Sequence, residues 1–237
     1  FDAVIGADGP LSKTAKEFGL FHPERKFYYG VQATVKGEFD PGTYSAHFGN
    51  EVAPDLFAWV VPEDETTARV GVGTLRTSVN TYFNKFLQEH HFTHRVALQS
   101  GLIPLYHHSQ VAAGNGAYLI GDAATQVKAT TLGGIIPGMK AAEILARSFQ
   151  NGMNYSADLR HLRFQLWLHL QIRKVFDRFS DADWDRLAEL MNQEKIKDIL
   201  QRHTREEPSK ILFKAVLREP RFLSYVKHLL PQRNGVE

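Results

Sequence analysis

Two apolar segments, each running into an aspartate set among small residues, constrain this chain most. The first is Phe1 to Ile5, followed by the turn Gly6-Ala7-Asp8-Gly9-Pro10. The second is Ala117 to Ile120, followed by Gly121-Asp122-Ala123-Ala124. Apart from Asp2, the first segment does not alternate, so both faces of its strand are expected to be buried, as in a parallel sheet. A parallel strand at the head of a chain has no neighbour close by to pair with. The expectation is therefore a fragment that opens inside a domain.

Between the motifs the texture changes. Tyr29 to Lys36, Thr43 to Phe48, Leu56 to Val61 and Ala68 to Leu75 alternate, and the breaks hold Gly, Pro, Asp and Asn. This predicts an antiparallel meander. Val79 to Phe92 has Val79, Tyr82, Phe83, Phe86 and Leu87 at helical spacing, and Leu98 to Leu105 reads as extended. Ser12 to Phe18 predicts a short helix closed by Gly19. After the second motif a loop rich in Thr and Gly leads to Pro137, which opens a helix that closes at Asn151-Gly152. From Tyr155 on the pattern is helical. Ser180 and Asp183 have capping-box spacing, Pro208 and Pro220 punctuate two more helices, and Pro231 to Glu237 reads as a polar tail. Three domains are expected: 1–24 with 110–152, 25–109, and 153–237.

Composition removes several classes of function. The absence of Cys excludes a disulfide scaffold, a thiol nucleophile and a thiolate metal site. The 28 Lys and Arg against 26 Asp and Glu leave a net charge of +2, no reason to expect nucleic acid. The positive excess is local: after Asn154 there are 16 basic and 12 acidic residues. No apolar run approaches the roughly 18 residues that a spanning helix needs, so a cytoplasmic location is expected. The histidines His90, His91, His94, His107 and His108 could ligate metal through imidazole, but read as solvated surface; no metal is expected. Asp181, Asp183 and Asp185 suit a helix entry. Leu159, Leu162, Leu166 and Leu170 form a packing stripe, flanked by Arg160, Arg163, Arg173 and Lys174, which could meet lipid phosphate at a membrane surface.

The two turns carry the chemistry. A carboxylate at the C-terminal end of a strand can accept hydroxyls from a ribose or ribitol, and a glycine beside it lets the backbone approach a pyrophosphate. Taken alone, the first is equally a strand-to-helix turn with a cap. In the second, Gly133-Gly134 leads into the N-terminus of a helix, whose free N–H groups and dipole favour an anion. A flavin that gains electrons develops such charge along its pyrimidine edge.

In this order the motifs resemble those of the FAD-dependent oxidoreductases with the fold of p-hydroxybenzoate hydroxylase, and among them the geranylgeranyl reductases. The family's GADGxxS element stands as Gly6 to Ser12, its GDAA element as Gly121 to Ala124, and its Gly-Gly-Ile step as Gly133-Gly134-Ile135. The resemblance implies that Ala7, Asp8, Gly9, Gly121, Asp122, Gly133, Gly134 and Ile135 contact FAD. The family's Tyr-x-Trp-x-Phe-Pro element stands as Phe57 to Pro62; the resemblance implies that Phe57, Trp59, Val61 and Pro62 line an isoprenoid pocket. The implied fold is α+β or α/β: the C-terminal half of a Rossmann-like FAD domain (1–24 and 110–152), interleaved with an antiparallel substrate domain (25–109) and followed by a helical tail (153–237). The family's N-terminal glycine-rich phosphate loop has no counterpart in the sequence. Gly71-Val72-Gly73, inside an alternating strand, reads as structural. Thr125, Ala129 and Leu132 stand where the family usually has Gly or Pro.

The implied activity is transfer of a hydride from reduced FAD to an isoprenoid double bond, with a proton added at the neighbouring carbon. The implied partners are a prenylated lipid or prenyl diphosphate, an electron donor that is either NAD(P)H or a ferredoxin, and a membrane met peripherally. No residue is singled out as the catalytic acid. Two rival readings stay open: a flavin monooxygenase or halogenase of the same superfamily, and a non-enzymatic lipid-binding fragment or subunit completed by an N-terminal segment or partner chain. The fragment is expected to be inactive alone.

Overall fold

Strand alternation and helix punctuation produce the following order: β1 (Val4–Gly6), α1 (Lys13–Glu17), β2 (Phe27–Lys36), β3 (Ser45–His47), β4 (Phe57–Pro62), β5 (Thr67–Thr74), α2 (Val79–Glu89), β6 (Arg95–Pro104), β7 (Ala113–Gly114), β8 (Ala117–Leu119), α3 (Ile135–Asn151), α4 (Tyr155–Asp158), α5 (Arg160–Phe176), α6 (Asp181–Met191), α7 (Glu194–Arg202) and α8 (Pro208–Arg218). Short 3₁₀ segments occupy Gly121–Ala124 and Pro220–Leu229. The computed structural model describes residues 2–229; the Pro231 to Glu237 tail lies outside them. Two units separate, Phe1–Pro23 with Tyr106–Glu237 and Glu24–Leu105.

The second unit is a five-stranded antiparallel sheet in the order β3-β4-β5-β2-β6. The simple meander holds only for β3 to β5; β2 is inserted between β5 and β6, pairing with both. Alternation decides the two faces. Val31, Ala33, Val35, Ala58, Ala68, Val70 and Val72 point to one side and pack with Val79, Phe83, Phe86 and Leu87 of α2. That helix ends at Glu89, short of the expected Phe92, because His91 turns left-handed at φ 57° and the Phe92 N–H closes back on the Leu87 carbonyl at 2.8 Å.

In the first unit β1 does have a partner: it pairs in parallel with β8, Gly6 opposite Leu119. β7 completes the sheet in the order β1-β8-β7. The expectation that both faces of the first strand are buried is not met, because Ile5 remains 51% exposed. α3 starts at Ile135, two residues before Pro137, since Pro is tolerated anywhere in a first turn whose N–H groups have no helical partner. Gly152 closes it at φ 61°. The Ser180–Asp183 capping box is formed reciprocally, and Pro208 is the first residue of α8. The stripe Leu159, Leu162, Leu166 and Leu170 is buried. Arg173 is buried too, at 2% exposure, and pairs with Asp177 at 2.6 Å, so it is not a surface cation. Arg160 and Arg163 spend hydrogen bonds on the carbonyls of Ala157 and His108. Among the described residues no helix is long and apolar enough to cross a membrane.

Candidate functional site

The first unit brings its two aspartate turns side by side. Ile120 N–H donates to the Gly6 carbonyl at 3.0 Å, so both turns leave the same C-terminal edge of the β1–β8 pair. That edge is where open α/β sheets receive ligands. At the first turn, Asp8 accepts from the Ser12 hydroxyl at 2.6 Å and from the Thr14 N–H at 3.0 Å and its hydroxyl at 3.2 Å. Ser12 accepts from the Ala15 N–H at 2.9 Å and caps α1. Burial raises the Asp8 carboxyl, but the bonds from Ser12 and Thr14 outweigh it and hold the group below its ordinary value. Asp8 thus shapes the turn, and Gly9, at φ 81°, has open space where a side chain would stand.

The second turn is held from below. Gly121 N–H donates to Gln126 Oε1 at 2.7 Å, and the Tyr155 hydroxyl donates to the Leu119 carbonyl at 3.0 Å. Burial pushes the Tyr155 phenol up to about 12. α3 packs onto this turn through glycines: a Cβ on Gly138 would lie 3.2 Å from Gly121 Cα, and one on Gly134 only 2.8 Å from Asp122 Oδ1. Asp122 therefore sits against the N-terminus of α3, which has no side-chain cap. Burial pushes its carboxyl up, and the two carboxylate oxygens accept no hydrogen bond among the described residues, although the Asp122 carbonyl accepts from the Thr125 N–H at 3.0 Å. A hydroxyl donor would satisfy the carboxylate. The first-turn N–H groups of Ile135 and Ile136 are free of helical partners. Gly133 stays further back, its carbonyl accepting from the Lys128 N–H at 3.2 Å.

The loop between turn and helix is pinned by residues the sequence reading passed over. Lys128 pairs with Glu206 in a largely buried contact. The Thr130 hydroxyl donates to His169 Nδ1 at 2.8 Å, while the His169 Nε2–H donates to the Arg205 carbonyl at 3.1 Å. Burial lowers the His169 imidazole to about 4, so it is neutral. The available signal was Gln165, His169 and Arg173, polar at every fourth position beside the leucine stripe, and all buried. Leu132 sits at φ 56°, a conformation that suits glycine.

The second unit offers an apolar trough on the sheet face away from α2. Phe57, Trp59 and Val61 point there, since Ala58 and Val60 take the core side. Pro62 pairs with Ala68 at the end of β4. Trp59 is directly opposite Gly71, and its indole lies over that residue: a Cβ on Gly71 would fall 2.3 Å from Trp59 Cζ2. Gly73, Gly30 and Gly101 are aligned across β5, β2 and β6. The Leu56 side chain fills the space over Gly73, so the line without side chains runs from Gly30 to Gly101 across β2 and β6. With Trp59, Gln32, Gln99 and Ile103, Gly30 and Gly101 bound a cavity of about 230 Å³. Gln32 donates to Gln99 at 2.7 Å along one side. Glycine inside strands marks close approach of another group. The Gly71–Gly73 pair is structural: Gly71 makes room for the Trp59 indole and Gly73 for the Leu56 side chain. The sequence showed the pair, but the alignment of Gly30 and Gly101 with it depends on register.

Residues 28–102, inside the second unit, match the family described as geranylgeranyl reductase catalytic domain. The chain is 31% identical over 217 residues to digeranylgeranylglycerophospholipid reductase 2 of Methanothermobacter thermautotrophicus, covering 83% of this chain and 56% of the relative. It is 28% identical over 260 residues to the corresponding reductase 2 of Methanopyrus kandleri, covering 96% of this chain and 63% of that protein. The chain thus spans little more than half the length of these relatives. Its fold matches a geranylgeranyl bacteriochlorophyll reductase-like protein of Thermoplasma acidophilum with a TM-score of 0.71, at 22% identity, over 97% of this chain and 62% of that one. A flavin-dependent halogenase is more distant, with a TM-score of 0.54 at 18% identity, over 96% of this chain and 50% of its own.

Proposed function

Because this chain belongs to the geranylgeranyl reductase family, we propose that it contributes to an FAD-dependent enzyme that saturates isoprenoid double bonds of a digeranylgeranyl glycerophospholipid. The observation that carries this reading is the glycine-floored trough in the segment that matches the family's catalytic domain. A branched polyprenyl chain is apolar and can lie along a line where no side chain projects.

In this reading residues 1–24 and 110–152 contribute to the FAD part, 25–109 form the prenyl part and 153–237 the helical part. The first unit fits a dinucleotide on its own geometry: an unpartnered, half-buried carboxylate, an uncapped helix N-terminus and a glycine with open space above it. Asp122 would accept a ribityl hydroxyl. Ala7 and Gly9 would let the backbone approach the pyrophosphate, as Asp8 holds their turn. Gly134 and Ile135 would face the pyrimidine edge with backbone N–H groups and the dipole of α3, while Gly121, whose N–H is held by Gln126, and Gly133 would line the cofactor by their lack of side chains. FAD, when bound and reduced by a nicotinamide or a ferredoxin, supplies a hydride for an alkene. The chain's own residues exclude water and orient the substrate: Phe57, Trp59, Val61 and Pro62 would wall the prenyl chain while the glycine row admits it. The phospholipid brings with it a peripheral contact with a membrane.

Gly101 provides the test. A Cβ there meets nothing within 4 Å, so a larger side chain enters the trough without displacing the fold. Gly101→Val is expected to weaken binding of a digeranylgeranyl lipid at least tenfold, measured by calorimetry, with its melting curve unchanged. Undiminished binding would refute the pocket. With reduced FAD supplied, an oxygenated or halogenated product in place of a saturated one would refute the reaction.

A further inference from the structure

The helix α8 exposes its apolar residues. Pro208 and Ala215 are buried and anchor it, yet Phe213 is 68% and Leu217 66% exposed. At helical spacing these two fall on one stripe, and Lys210, Lys214 and Arg218 on the stripe beside it. The exposed arc therefore pairs an aromatic and a leucine with three cations. The end of α7 adds to it: Arg202 and His203 share a cavity of about 200 Å³ with Lys214, Leu217 and Arg218. The acid in that cavity, Asp198, is engaged by Arg202 at 2.7 Å. Lys214 Nζ lies 2.7 Å from His203 Nε2. Lys210 pairs with Glu207 at 2.7 Å. Arg218 has no ion pair among the described residues.

We propose that the exposed arc of α8 docks on an anionic phospholipid bilayer, Phe213 and Leu217 entering the boundary between headgroups and acyl chains while Lys214, Arg218 and Lys210 meet lipid phosphates. Exposed apolar side chains flanked by cations are what an interfacial helix presents. Free phosphate would leave Phe213 and Leu217 without a role. A second copy pairing through the same arc would set like charges against each other. The surface differs from the one around Arg160 and Arg173 expected from sequence: its cations are solvated, whereas Arg173 is buried.

The inference stands apart from the prenyl reading, and vesicles without prenyl lipid test it separately. The 237-residue chain is sedimented with vesicles of phosphatidylcholine and with an equimolar mixture of phosphatidylcholine and phosphatidylglycerol. Binding is expected to the mixture only, and to weaken with salt. Lys214→Gln with Arg218→Gln is expected to lose about 30-fold in partitioning, from about 1 kcal/mol per cation near an anionic surface. Phe213→Ser with Leu217→Ser is expected to lose on the order of 100-fold. Lys85→Gln with Arg95→Gln, the same charge change on the other unit, should leave binding as it is. All variants are first shown to melt as the parent does. No preference for the anionic vesicles would overturn the proposal, as would α8 variants that partition like the parent. So would a dimer dispersed by Leu217→Ser in a chain that ignores vesicles, because a second copy would then own the surface.

Discussion

Gly71→Ala tests the packing that opens the trough. The added methyl would stand 2.3 Å from Trp59 Cζ2, 2.5 Å from its Cε2 and 2.8 Å from Gln32 Cβ. The first distance falls about 1.2 Å short of the roughly 3.5 Å at which carbon atoms rest. The indole is partly exposed and can swing outward, but Gln32 Cβ is fixed to the backbone of β2 and cannot. Overpacking of this kind costs about 1–3 kcal/mol, and we expect about 2. In a Trp59→Ala background the ring contact is gone and the Gln32 contact remains, so the same substitution should cost about 1 kcal/mol. The coupling of about 1 kcal/mol lies within the range for residues in direct contact. Urea denaturation of the four proteins, followed by far-ultraviolet circular dichroism, reads it directly. A Gly71→Ala midpoint equal to that of the parent, or the same cost with and without Trp59, would refute the claim that the indole lies on the glycine.

Two further perturbations probe the loop before α3. The His169 imidazole is lowered from 6.5 to about 4 by burial; the unfolded chain therefore takes up a proton first as pH falls, so stability is complete above pH 6.5 and declines toward pH 4, by on the order of 3 kcal/mol. His169→Gln should flatten that part of the stability–pH curve in denaturation series, and a slope that survives the substitution would reassign the proton. Leu132 holds φ 56°; Leu132→Val should melt below Leu132→Gly by about 1 kcal/mol, because a β-branched residue is strained there and glycine is not. Equal melting of the two would show that the loop relaxes out of this conformation.

The parts that were legible in the sequence are those governed by local chemistry. Ser12, Ser180 with Asp183, Gly19 and Gly152 announced their helix ends because capping needs only neighbours in the chain. Alternation in β2, β4 and β5 placed Trp59 opposite in direction to Ala58 and Val60, since successive side chains leave a strand on opposite sides. The aspartate turns at Asp8 and Asp122 were visible for the same reason. Ile5 misled because an apolar run does not say whether a layer covers it, and Arg173 because its position beside a leucine stripe does not say which way the stripe turns.

By itself, then, the sequence determined the main strands and helices, the capped helix ends and the small residues of the two turns, but not whether Trp59 faces the core or a pocket. The rest required distant segments to meet. Only the parallel pairing of β1 with β8 brought Asp8 and Asp122 to one edge. Only the pairing of β2 with β6 aligned Gly30 and Gly101 into a floor, because register between strands is a relation that no single strand carries. His169 reached Thr130, and Lys128 reached Glu206, for the same physical reason: burial of the leucine stripe fixes a helix in place, and the polar groups on its flank then find partners far away in the chain.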